Sequence, residues 1–136
     1  LYLYKMKIKY SANRNPRVIV IQKIYSKIYN KDIELTFPSH RFKKFIKDVV
    51  NGTIEREELI NDEIKNHLDS DVKIKNLDKV FEVIIKSAIF ELLYKPNTPS
   101  NIIIKEYLNA SNFFINVSQT KFLNAILDKI SKKIRQ

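Results

Sequence analysis

The side chains able to do chemistry are few in type, and their spacing speaks against an active site. His40 and His67, the only histidines, lie 27 residues apart, which sets up no helical pair of metal ligands. Each reads as a surface or partly packed imidazole. Cysteine is absent, which removes disulfides, thiolate ligands and thiol redox chemistry. A phosphate-cradling loop needs several glycines so that the backbone can approach its ligand, and the single glycine, Gly52, cannot build one. Serines and carboxylates occur, yet no histidine stands in a nucleophile setting. The expectation is a non-enzymatic protein with neither cofactor nor metal. Asn51, Asn109 and Asn116 each open an N-x-Ser/Thr triplet, a pattern that an asparagine-rich chain produces by chance.

Charge is the chemistry that remains. The formal net charge is +10 and the pI about 9.7, which points to a polyanionic partner. Lysine far outnumbers arginine, and with abundant isoleucine and asparagine this matches the codon usage of an AT-rich genome, so the total is weak evidence. The distribution is stronger evidence. Lys5, Lys7, Lys9, Arg14, Arg17, Lys23, Lys27 and Lys31 all precede the first acid, Asp32, and codon usage does not explain missing acids. Carboxylates gather instead at Glu55, Glu57, Glu58, Asp62 and Glu63, so the chain is segregated by sign. An acid-free basic N-terminus suits a polyanion, RNA first.

Helices must position these groups, because apolar residues recur at spacings of three and four. Asn15 before Pro16 reads as an N-cap with proline at the first helical position. The helix behind it runs to about Asn30 and buries Val20, Ile21, Ile24 and Ile28, with Arg17, Gln22, Lys23 and Tyr25 flanking or opposing that stripe. Pro38 and Ser39 announce a second helix through Phe42, Phe45, Ile46, Val49 and Val50, which Gly52 should end or kink. Thr53 reads as the cap of a third, with Leu59, Ile60, Ile64 and Leu68 inward. The stretch Leu77 to Lys95 is apolar on more than one face and should be the central helix. Pro96 and Pro99 enclose a turn before a fifth helix through Ile103, Ile104, Tyr107, Leu108 and Phe114. A polar link over 116–120 leads to the last, with Leu123, Ile126, Leu127, Ile130 and Ile134 inward and basic residues at its end suited to the helix dipole. Only Leu1 to Tyr10 alternates with period two, and it reads as an extended arm. Apolar runs such as Val18 to Ile21 are far below the roughly 20 residues that span a bilayer. The opening Leu1–Tyr4 is too short for a signal core, so a cytoplasmic protein without membrane contact is expected.

In order and spacing the pieces resemble the NusB family of transcription antitermination factors, from about Arg14 to Arg135. They are Arg14, Arg17, Gln22 and Tyr25 on the first helix, Phe42 to Val50, VIIKSAIFELL from Val83, PSNIIIKEY from Pro99, and KFLNAILD from Lys121. The resemblance implies an all-α fold of two packed three-helix subdomains. It divides the chain into a basic arm, 1–13, and a NusB-like RNA-binding helical domain, 14–136. It further implies binding, with the ribosomal protein NusE, to single-stranded boxA-type RNA of ribosomal operon transcripts, alongside other Nus factors and RNA polymerase. RNA contacts carried over by position are Arg14, Arg17, Gln22, Tyr25, Lys121, Phe122 and Asn124. Arginine can fork onto phosphates, the amides can read base edges, and the rings can stack on unpaired bases. Two alternatives remain: a helical protein-interaction module, such as a homodimer, and the NusB-like domain of an RNA methyltransferase.

Overall fold

The computed structural model describes residues 14–67 and 77–135, and within them every regular element is an α-helix. Six helices follow one another: α1 Pro16–Tyr29, α2 Lys43–Glu55, α3 Glu57–His67, α4 Lys79–Tyr94, α5 Ser100–Ser111 and α6 Val117–Ile134. The basic arm and Leu68 fall outside the described residues.

Helix α1 starts as its sequence dictates. The Asn15 side chain accepts hydrogen bonds from the backbone N–H groups of Arg17 (3.0 Å) and Val18 (3.4 Å), and Pro16 occupies the first turn. Its apolar stripe, Val18 to Ile21 and Ile24, is buried, whereas Ile28 at its end is 37% exposed. The centre of the molecule is α4, in which all residues from Phe81 to Leu92 are buried and which packs on each of the other five helices. Helices α4, α5 and α6 also pack on one another; α1 packs on α2 and α2 on α3, and α1 and α3 reach across to α5 and α6. Two three-helix sets thus share one buried rod.

Gly52 does not end α2. It lies inside the helix, buried, with the Phe90 ring pressed where a Cβ would stand. Glycine is there for close helix–helix approach, a use that local propensity cannot reveal. Thr53 is likewise a buried residue of α2 rather than a cap, and its hydroxyl has no hydrogen-bond partner. The break falls at Arg56, whose N–H still donates to the Gly52 carbonyl (3.0 Å) while its guanidinium lies 4.6 Å from the centre of the Tyr94 ring. Leu59, expected inward, is 57% exposed; Ile60 and Ile64 carry the α3 stripe.

Residues 116–120 also depart from expectation. Asn116 and Gln119 form a reciprocal capping box, the Gln119 N–H donating to Asn116 Oδ1 (2.9 Å) and the Asn116 N–H to Gln119 Oε1 (3.1 Å). The supposed link is therefore the cap and first turn of α6. At the far end, Arg135 serves a helix other than its own: its guanidinium donates to the carbonyls of Glu91, Leu92, Lys95 and Thr98, capping α4.

Candidate nucleic-acid interface

The outer side of α1 presents Gln22, then Tyr25, then Tyr29, at spacings of three and four that keep them on one face. Gln22 is exposed, Tyr25 half-buried and Tyr29 71% exposed. The two tyrosine rings lie 4.8 Å apart at a 51° tilt. A hydrogen bond with Tyr29 is the main cause that raises the Tyr25 phenol above its ordinary pKa, and desolvation and the charges of Tyr29 and Asp78 add to it. Asp78, just ahead of α4, thus lies within electrostatic reach of Tyr25.

The start of α6 arrives at the same place. Gln119 donates its side-chain N–H to Asp78 Oδ2 (3.3 Å), tying the first turn of α6 to the entry of α4. Leu123 is fully buried, which fixes the rotation of α6 and turns Lys121, Phe122 and Asn124 outward. Phe122 stacks on Phe81, the rings 5.7 Å apart and 23° from parallel. Phe81 is 2% exposed and Phe122 42%, so the ring is held from beneath while much of its surface stays open. Such a held ring has the geometry of a stacking platform, because a ring already fixed loses little side-chain freedom on contact. Lys121 supplies positive charge beside it and the Asn124 amide a donor and an acceptor. Gln119 thus places the first turn of α6, with Lys121, Phe122 and Asn124 exposed beyond it, at Asp78, whose charge also reaches Tyr25 on α1, with Gln22 one turn along. The structure adds Tyr29, Asp78, Phe81 and Gln119, which sequence reasoning missed. Tyr29 could have been found from its place four residues beyond Tyr25; the others carry no local signal.

Two of the expected contacts lie elsewhere. Arg14 is exposed ahead of the N-cap Asn15, more than two helical turns from Tyr25. Arg17 points inward. Its Nε and Nη2 donate to the two carboxylate oxygens of Glu91 (3.0 and 2.6 Å), and the two side chains are 11% and 0% exposed. The guanidinium also lies 4.8 Å from the Phe45 ring centre and 5.5 Å from that of Tyr107. Burial works against its charge, and the hydrogen bond and charge of Glu91 outweigh it, so the Arg17 pKa is raised. The fork expected for a phosphate is occupied by a carboxylate of the central helix. Arg17 therefore pins α1 to α4. The Tyr107 hydroxyl is buried beside this pair without a well-formed hydrogen bond, and burial, with the charge of Glu91, raises it well above the tyrosine range.

Among the described residues no three His, Cys, Asp or Glu side chains gather as metal ligands, and no helix is long and apolar enough to cross a membrane. The exposed aromatic, amide and lysine groups on the rim of a helical bundle have the layout of an all-α binding domain.

Comparison with known proteins makes that class specific. The NusB family model matches residues 3–132, and the chain belongs to the NusB family. The transcription antitermination protein NusB of Rickettsia massiliae is 28% identical over 103 residues, covering 76% of this chain and 64% of that protein. NusB of Mesorhizobium japonicum is 25% identical over 92 residues, covering 68% and 59%. The matched segment is thus somewhat under two thirds of these relatives' length. Among solved structures, NusB of T. maritima superposes with a TM-score of 0.75 at 22% identity, over 89% of this chain and 91% of that one. The NusB chain in a crystal structure of antitermination factors NusB and NusE with double-stranded RNA gives 0.71 at 16% identity, over 90% and 98%. These likenesses establish the fold.

Proposed function

We propose that the chain is a non-catalytic RNA-binding antitermination factor. In this reading it joins a NusE protein on boxA-type single-stranded RNA of ribosomal operon transcripts, in the cytoplasm, as part of an assembly with other Nus factors and RNA polymerase. The observation that carries the reading is Phe122, half open to solvent on the buried ring of Phe81, with Lys121 and Asn124 exposed beside it on α6. A braced, exposed ring beside a cation and an amide is the composition that receives an unpaired base. Family membership supplies the context. Tyr25 and Phe122 stack on unpaired bases, Gln22 and Asn124 bond base edges, and Lys121 and Arg14 meet phosphates; the arm 1–13 adds further charge. Arg17 acts from within, on the stability of the α1–α4 contact rather than on the RNA.

The test is binding of labelled boxA-type RNA over a salt series, with and without NusE. The expected result is weak binding alone, tighter binding with NusE, and a linear fall of log K with log salt as counterions are released, at a slope of about −0.7 per phosphate contacted on a single strand. RNA binding that is absent in the NusE mixture, or indifferent to salt, contradicts the reading.

A further inference from the structure

A second basic surface lies away from the Phe122 site, at the corner that leads into α2. Over Ser39–Lys44 the chain reads SHRFKK. Arg41, Lys43 and Lys44 are exposed, and among the described residues none of them meets a carboxylate. Asp48, the first acid of α2, is paired instead with Lys95 (3.7 Å). The first turn of α2 holds no acid at all, yet it holds Lys43 and Lys44. Cations there oppose the positive end of the helix dipole. A helix start chosen for stability alone would carry the opposite charge.

The corner is also built. His40 Nδ1 accepts the Phe42 N–H (2.9 Å), standing in for the cap that Phe42 lacks. Beneath it, Ile19 of α1 and Ile46 line a small apolar crevice with Pro38 and Lys43. Phe42 itself is 44% exposed, with the Arg41 guanidinium 5.3 Å from its ring centre and the His40 ring at 6.0 Å. An exposed ring interleaved with cations is the composition of a single-strand platform, in which bases stack while the charges follow the backbone. An acidic peptide would use the charges but not the ring.

We propose that this corner is a second RNA contact, on which Arg41, Lys43 and Lys44 bind phosphates and Phe42 stacks on a base of the strand that leaves the Tyr25–Phe122 site. Ile19 precedes Tyr25 by about 9 Å along α1, so a strand crossing α1 toward Arg14 reaches it within a few nucleotides. The inference rests on the RNA-binding reading above and deepens it.

The experiment uses the full chain with NusE and two labelled single-stranded RNAs, one confined to boxA and one extended on both sides. The variants are Arg41→Gln/Lys43→Gln/Lys44→Gln and Phe42→Ala. For the extended RNA, the triple variant should lose tenfold or more in affinity at low salt, and its salt slope should fall by about 2, three contacts at roughly 0.7 each. Phe42→Ala should lose affinity with the slope unchanged. Short-RNA binding should stay at the wild-type value in both variants, and the thermal midpoint should not fall, since the replaced groups are exposed. A triple variant that binds the extended RNA with wild-type affinity and slope overturns the second contact alone. A wild type that binds neither RNA overturns the reading it rests on as well. Poly-L-glutamate that competes as well as RNA of equal charge, indifferent to Phe42→Ala, reassigns the corner to an acidic protein and overturns the proposal.

Discussion

Replacing Arg17 with alanine strands a carboxylate. Glu91 is fully buried, and its two oxygens receive Nε and Nη2 of Arg17. Removing one partner of such a pair leaves an uncompensated charge in the interior, which costs about 3–5 kcal/mol. The guanidinium also fills the space between Phe45 and Tyr107, so lost packing adds to lost charge rather than relieving it. Against a total stability of about 5–15 kcal/mol for an ordinary domain, the loss is a large fraction. With a urea m-value of about 1–3 kcal/mol/M for a protein of this size, the unfolding midpoint should drop by roughly 1–5 M. Urea titration followed by circular dichroism reads this directly. The double variant Arg17→Met/Glu91→Leu should recover most of the loss, because an apolar pair of similar volume removes both desolvated charges together. The reasoning is refuted if Arg17→Ala unfolds within about 0.5 kcal/mol of wild type, as an ordinary surface substitution does, while RNA affinity falls. That result would mean the guanidinium works outside and not against Glu91.

Further expectations follow from the same interior. Tyr107→Phe removes a buried hydroxyl with no well-formed hydrogen bond, so stability at neutral pH should stay level or rise by about 0.5–1 kcal/mol; a loss above that size in urea titration would show that the hydroxyl is bonded. The same residue sets an alkaline limit. Its folded pKa lies above the unfolded value of about 10, so the ionised form is disfavoured in the fold and stability, level below pH 10, falls as pH rises beyond it, by up to about 1.4 kcal/mol per pH unit. Tyr107→Phe should flatten that decline, and an unchanged alkaline slope would contradict it. Gly52→Ala places a methyl group against the Phe90 ring and should destabilise by about 1–3 kcal/mol despite the better helix propensity of alanine. Combining it with Phe90→Leu should restore part of the loss; a stabilised single variant would show that the ring gives way freely.

The elements were largely legible in the sequence because burial on a helix leaves a periodic trace. Val20, Ile21 and Ile24, and the run from Phe81 to Leu92, carry that trace strongly. What failed was decided by contacts between helices. Gly52 reads as a breaker until Phe90 is placed against it, and Arg17 reads as a surface cation until Glu91 arrives from 74 residues away. The α6 start was misread for a different reason, since its Asn-x-x-Gln box is a local signal that was present and overlooked. Of the candidate surface, Gln22, Tyr25, Lys121, Phe122 and Asn124 could be named from resemblance, but not the bond from Gln119 to Asp78 at the foot of α6. That bond depends on how the entry of α4 lies against the start of α6, which no spacing encodes.

One measurement bears most directly on the proposed function: the affinity of labelled boxA-type RNA for the chain with NusE, compared between wild type, Phe122→Ala and Arg17→Ala, each corrected for the fraction folded. The account predicts that Phe122→Ala loses about 1–3 kcal/mol, the worth of one base–ring stack, with the fold intact. It predicts that folded Arg17→Ala keeps nearly all of its affinity. Full affinity in Phe122→Ala, with a loss confined to Arg17→Ala, would contradict it.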